Sequence, residues 1–165
     1  MNVETIEDLF GSRLQRAYYA ERTHAELCSE MAADATAGDF RDLLEDHRTE
    51  TDDQIGRLED VFAALGRRPR ASRTRTVDGL VESWHQHAEA ADEPAVPGAL
   101  EIALMAERLE VRTYESLLRL AGRLAYADDV VEPLETNLAE ERAALEALET
   151  IQTERPVLEA VGITE

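Results

Sequence analysis

The sequence predicts an all-α fold: a four-helix bundle made of two antiparallel helical hairpins joined by a long crossover that carries one short helix. Three observations predict it. Ala, Leu, Glu and Arg dominate, against only eight Gly, five Pro and 5% aromatics, which is the composition of long helices rather than of sheets. Apolar residues recur at three-four spacing through four long segments. The breaks between those segments are short, long and short again. With 165 residues, 18.4 kDa and 44% hydrophobic content, the chain is sufficient for one domain with a sizeable core. That domain is expected to span 1–153, with the crossover at 67–96 and a C-terminal tail at 154–165.

The first helix opens at Thr5-Ile6-Glu7-Asp8, a Thr cap with an acidic residue three positions on, and keeps its periodicity to about Ala33. Thr36 and Asp39 repeat that signature, so a second helix runs from about Ala37 to Leu65 after a link too short for anything but an antiparallel neighbour. Gly66 and Pro69 end it. An arginine-rich stretch, RRPRASRTR, then leads to a short amphipathic piece around Leu80, Val81 and Trp84 and on to two prolines. The third long helix is expected from about Ala95 to Leu124 and the fourth from about Asp129 to Gln152. Two hairpins linked by one long crossover is the connectivity of ferritin-like bundles.

The net charge of -19 arises from 36 acidic residues against 17 basic ones, all of them Arg. Such a surface suits high salt, where screening shortens the range of self-repulsion. It argues against nucleic acid or an anionic membrane as partner, since both are bound through basic surface. The single Cys28 excludes an internal disulfide. The opening MNVETIEDLF has neither a basic leader nor a long apolar run, and no segment approaches the roughly 18 apolar residues of a membrane span, so a cytoplasmic protein is expected.

The apolar stripes break in the same place on each helix. They read Leu14, Ala17, Glu21, His24, Cys28, Met31 on the first, and Phe40, Leu43, His47, Glu50, Gln54, Leu58, Val61, Leu65 on the second. The third gives Leu100, Ala103, Glu107, Glu110, Tyr114, Leu117, and the fourth Leu134, Leu138, Glu141, Leu145, Leu148. With 36 acidic residues in 165, some carboxylates fall on stripes by chance. Their level is the better signal: Glu21, Glu50, Glu107 and Glu141 sit near the midpoints of their helices, which coincide in an antiparallel bundle. Burying one unpaired carboxylate costs several kcal/mol, and five would exceed the roughly 5–15 kcal/mol stability of a domain. Two divalent cations would offset Glu21, Glu50, Glu107, Glu110 and Glu141, with His47 as a neutral nitrogen ligand. Oxygen- and nitrogen-rich ligand sets suit iron, then manganese, better than zinc. The alternative is that these glutamates lie at stripe edges and reach solvent. On the same terms His24 is packing or an outer contact of the belt, His85 and His87 are surface residues of the crossover helix, and Tyr114 either fills core or hydrogen-bonds into the belt.

These residues resemble a family, the YciE/YciF-type stress proteins of the ferritin-like superfamily. The resemblance lies in TIEDLF, in Ala20-Glu21, in the run H-x-x-E-T-x-x-Q-I-x-R-L-E from His47 to Glu59, in A-x-x-x-E-x-x-E-x-x-x-Y from Ala103 to Tyr114, and in the EER of Glu140 to Arg142. It covers most of the chain in order and spacing. It implies a dimetal carboxylate site of the rubrerythrin kind, a homodimer and a role in stress, with Glu21, Glu50, Glu107, Glu110 and Glu141 as ligands and His47 as the matching histidine. The chain departs from that pattern at His24, where the family has an apolar residue, and at Leu145, where it has an acidic one. Helix four then offers one ligand instead of two, with His24 as a replacement.

Two function classes follow. A di-iron protein would react with dioxygen or peroxide, or oxidise ferrous iron, with electrons from an external reductant. A non-enzymatic bundle would act as a dimeric structural or adaptor protein with a structural or vestigial metal site. The cluster Arg67, Arg68, Arg70, Arg73 and Arg75 is either a binding face for an acidic partner or a solvated loop.

Overall fold

A computed structural model describes residues 3–35, 38–89 and 98–154. It contains α1 (Ile6–Asp34), α2 (Asp39–Ala64), α3 (Arg75–Glu89), α4 (Ala99–Leu124) and α5 (Asp128–Glu154), with no strand among the described residues. α1 packs on α2 and α4 on α5; α1 against α4 and α2 against α5 close the bundle, and α3 lies across α1 and α4. The expected hairpins, crossover and short helix are all present. The Thr36 cap, residues 90–97 of the crossover with its two prolines, and the tail from 155 onward lie outside the described residues. No helix among the described residues is long and apolar enough to cross a membrane.

Local chemistry explains the ends. Thr5 Oγ1 accepts from the Asp8 amide at 3.0 Å and Asp8 Oδ2 accepts from the Thr5 amide at 3.1 Å, the reciprocal cap read from the sequence. At the end of α2, Gly66 takes φ 65°, a left-handed conformation that glycine adopts without Cβ strain, and the Arg67 amide returns to the Phe62 carbonyl at 2.8 Å. The chain then crosses α1, where the Ser72 amide bonds the Gln15 carbonyl at 2.9 Å. Arg67 lies directly over Gly11, a position where any Cβ would collide with its guanidinium. Arg73 pairs with Asp78 at 2.8 Å, while Arg67, Arg68, Arg70, Arg73 and Arg75 are all exposed.

The apolar core is split in two. Phe10, Leu14, Leu58, Phe62, Leu117 and Leu134 belong to one cluster, and Leu27, Met31, Leu44, Ile102, Leu104 and Leu148 to the other. The buried polar residues Glu21, His24, His47, Thr51, Gln54, Glu107, Glu110 and Glu141 occupy the sequence positions between the two sets on each helix, with Asn137 at the edge of the first set beside Leu138. Leu145 packs against both clusters. The polar layer therefore lies at mid-bundle, as the shared midpoints predict.

One stripe is corrected. On α2 the buried positions are Phe40, Leu44, His47, Thr51, Gln54 and Leu58 rather than a register through Leu43 and Glu50. Between His47 and Gln54 the inward position falls on Thr51, whose hydroxyl donates to the His47 carbonyl at 2.8 Å, and Glu50 turns to the rim.

Candidate metal centre

Each bundle helix brings its polar residues in at one level for a simple reason. On α1 and α4 the pairs Glu21/His24 and Glu107/Glu110 are three apart and share a helix face, while α2 supplies His47 and α5 supplies Glu141. The structure gathers these six into two groups: His24, His47, Glu107 and Glu110, and Glu21, Glu110 and Glu141. Within each group the candidate ligand atoms all lie within 4.8 Å of one another, and Glu110 belongs to both.

His47 Nε2 lies 3.3 Å and His24 Nε2 3.4 Å from the same Glu107 oxygen, and His24 Nδ1 lies against Glu110. The two imidazole rings are 5.3 Å apart. Glu50 is set apart from both groups: its side chain is 40% exposed, with Oε2 3.5 Å from His47 Nδ1. Of the six residues expected as ligands, the structure thus brings Glu21, His47, Glu107, Glu110 and Glu141 together, leaves Glu50 at the edge and adds His24. His85 is exposed beside Glu30 and His87 is half-buried against Trp84, both away from the groups.

A hydrogen-bonded chain runs from the belt toward the surface. Tyr114 donates to Glu21 Oε1, Asn137 Nδ2 donates to the Tyr114 oxygen at 2.8 Å and to the Gln54 carbonyl at 3.2 Å, and Arg57 bridges Asn137 Oδ1 to Glu140. Tyr114 is therefore more than core filler; it fixes one oxygen of Glu21. Asn137 and Arg57 carried no signal in the sequence, since their partners are 80 or more residues away for Arg57 and 23 for Tyr114 with Asn137. Tyr114→Phe is expected to cost the metal-free protein about 1–3 kcal/mol, because Glu21 and Asn137 each lose a buried partner. Urea denaturation measures this, and an unmoved midpoint would show that the bond adds nothing.

Many atoms of the belt, ion-pair contacts aside, make no hydrogen bond within the protein. Glu21 Oε2, Glu107 Oε2, both oxygens of Glu110 and Glu141, and both nitrogens of His47 are buried without a hydrogen bond. Buried polar atoms are almost always satisfied, so a cluster of orphans this dense fits a bound cation. Burial, with Glu110 close by, raises the Glu21 and Glu141 carboxyls well above the usual range and pushes Glu107 up to about 7. Burial and the neighbouring His24 bring His47 down to about 4, leaving it a neutral donor. On His24 burial opposes charge, but Cys28, Glu110 and Glu107 outweigh it and hold the pKa well above the ordinary value.

The sequence pattern of the family described as a domain of unknown function, DUF892, matches residues 5–160. The chain belongs to the DUF892 family. Protein YciF of Escherichia coli strain K12 is 27% identical to it over 146 residues, 87% of each chain. The solved structure of YcfI from Rhodopseudomonas palustris superposes with a TM-score of 0.82 at 36% identity, covering 90% of this chain and 96% of its own. That of the E. coli stress protein YciF gives the same TM-score of 0.82 at 24% identity, with 90% and 95% covered. The kinship with YciF and the ferritin-like helical bundle expected from the sequence both stand.

Proposed function

We propose that this DUF892 chain is a stress-related carboxylate metalloprotein that holds two divalent ions, iron ahead of manganese, and uses them to react with dioxygen or peroxide or to oxidise ferrous iron. The supporting observation is the cluster of orphaned ligand atoms in two groups that share Glu110. Two divalent ions bring four positive charges, matching the four fully buried carboxylates Glu21, Glu107, Glu110 and Glu141. His24, His47, Glu107 and Glu110 would hold one ion and Glu21, Glu110 and Glu141 the other, with Glu50 close enough to turn in beside His47. Bound iron supplies one-electron redox chemistry and Lewis acidity.

The protein's own residues prepare the site. His47 is neutral at pH 7 and offers a lone pair without first losing a proton. Tyr114 orients Glu21, and the two apolar clusters above and below the belt keep water out. An external reductant would complete turnover, and on this reading the protein acts as a homodimer in the cytoplasm.

A structural or adaptor bundle is the second reading. It is favoured by the raised carboxyls, since protons alone can neutralise part of the belt, and by YcfI, for which a structural role has been put forward. Metal analysis of the purified protein separates the two. About two irons per chain, together with ferrous oxidation that exceeds the protein-free rate, supports the first; a folded chain that takes up no iron or manganese sinks it.

A further inference from the structure

Helix α3 stands outside the bundle and is fastened to α1 near both ends. Tyr19 donates to Asp78 Oδ1 at 2.6 Å close to its start, and Trp84 Nε1 donates to Glu30 Oε2 at 3.0 Å close to its end. Val77 and Trp84 are buried with those anchors. Between them Leu80 and Val81, only half-buried, roof a narrow pocket that Ala106 and Leu109 wall on the α4 side and that reaches His24 and Glu110. Thr23 also lines it, but the surface that it, His24 and Glu110 leave accessible is carbon, and the space suits a single small molecule.

We propose that this pocket admits dioxygen to the His24–Glu110 edge of the belt. The role at its inner end rests on the redox reading above; the ligand it takes does not. A ferrous ion would have to shed its water shell along a wall with no polar atom to replace it, at a prohibitive desolvation cost. Hydrogen peroxide carries two O–H donors that find no acceptor on the same wall. Dioxygen is small, neutral and without a donor, so carbon walls cost it nothing. The pocket thus selects one oxidant from those the belt could use, and ions must enter by another route.

Xenon, which occupies the same kind of apolar space, serves as a probe on the metal-free full-length chain. Methyl NMR under dissolved xenon is expected to show shifts at Leu80, Val81 and Leu109. Val81→Phe fills the roof and is expected to remove those shifts; in the iron-loaded protein it slows oxidation by dioxygen about tenfold, equal to about 1.4 kcal/mol of added barrier, at unchanged metal content. Leu80→Ala widens the pocket and is expected to enlarge the xenon response without slowing oxidation. Absence of xenon shifts in the native chain overturns the pocket as an apolar binding site. Loss of xenon in Val81→Phe with oxidation at the native rate overturns the entrance. A chain that binds xenon here and no metal sinks the redox reading and the entrance with it, and leaves the pocket as a gas site alone.

Discussion

Glu110→Gln is expected to abolish uptake of both metal ions, taking the content from about two per chain to below about half an ion, whereas Glu141→Gln or Glu21→Gln removes only one. The difference follows from topology. Glu110 is the one residue common to both groups of ligand atoms, while Glu21 and Glu141 belong to one group and His24, His47 and Glu107 to the other. The amide keeps the shape of the carboxylate and one acceptor oxygen but loses the charge and the second anionic oxygen, so packing at this 3% exposed position survives. Folding is then retained, and the loss reads on metal content rather than on structure. Glu50→Ala tests the rim in the same experiment: with its side chain 40% exposed and outside both groups, it is expected to weaken one ion and leave the other bound. Elemental analysis after dialysis, with circular dichroism as the folding control, checks all four variants. One ion retained by Glu110→Gln would refute the sharing.

What the sequence revealed of this site depended on how local the signal was. The Thr5–Asp8 cap and the Gly66 stop are legible because each is settled within a few residues. Glu21, Glu107, Glu110 and Glu141 are legible because apolar neighbours bracket them and leave one register. On α2 the seven-residue gap from His47 to Gln54 admits two inward positions, Glu50 or Thr51, and a helix of 3.6 residues per turn does not choose between them without the rest of the bundle. His24 reads as packing from its own helix. The family pattern offers it as a replacement ligand because Leu145 lacks a carboxylate, and the approach of Glu107 and Glu110 from α4 sets it among the candidate ligand atoms. The link through Tyr114, Asn137 and Arg57 joins α1, α2, α4 and α5, and no single periodic pattern encodes it.

Metal-free protein is expected to lose thermal stability as pH rises from 6.5 to 8, and metal-loaded protein to hold or gain it, so that the two melting curves diverge. In the absence of metal, burial raises Glu107 from its usual 4.5 to about 7, and raises Glu21 and Glu141 well above 4.5. A carboxyl whose folded pKa lies above its unfolded one holds more protons in the native state, so its stabilising share is full at low pH and disappears as pH climbs through the folded value. For Glu107 alone the whole rise corresponds to about 3 kcal/mol, lost mostly between pH 4.5 and 7, so roughly a quarter of it falls in this window and the carboxyls of Glu21 and Glu141 carry the rest. His24, also raised, acts with the same sign. His47, lowered from 6.5 to about 4, acts with the opposite sign, but its effect falls between those two values and is nearly spent above pH 6.5. Exposed surface carboxylates are ionised throughout the window, so the self-repulsion of a -19 chain scarcely changes across it. With metal bound the sign reverses, because ligands must shed their protons to coordinate and affinity therefore grows with pH. Melting at constant ionic strength with chelator and with saturating iron or manganese measures the divergence, and an unbuffered indicator at pH 6.5 should record protons released on metal addition. Parallel curves and no released protons would mean that the belt is held by protons alone, which is the structural reading and not the catalytic one.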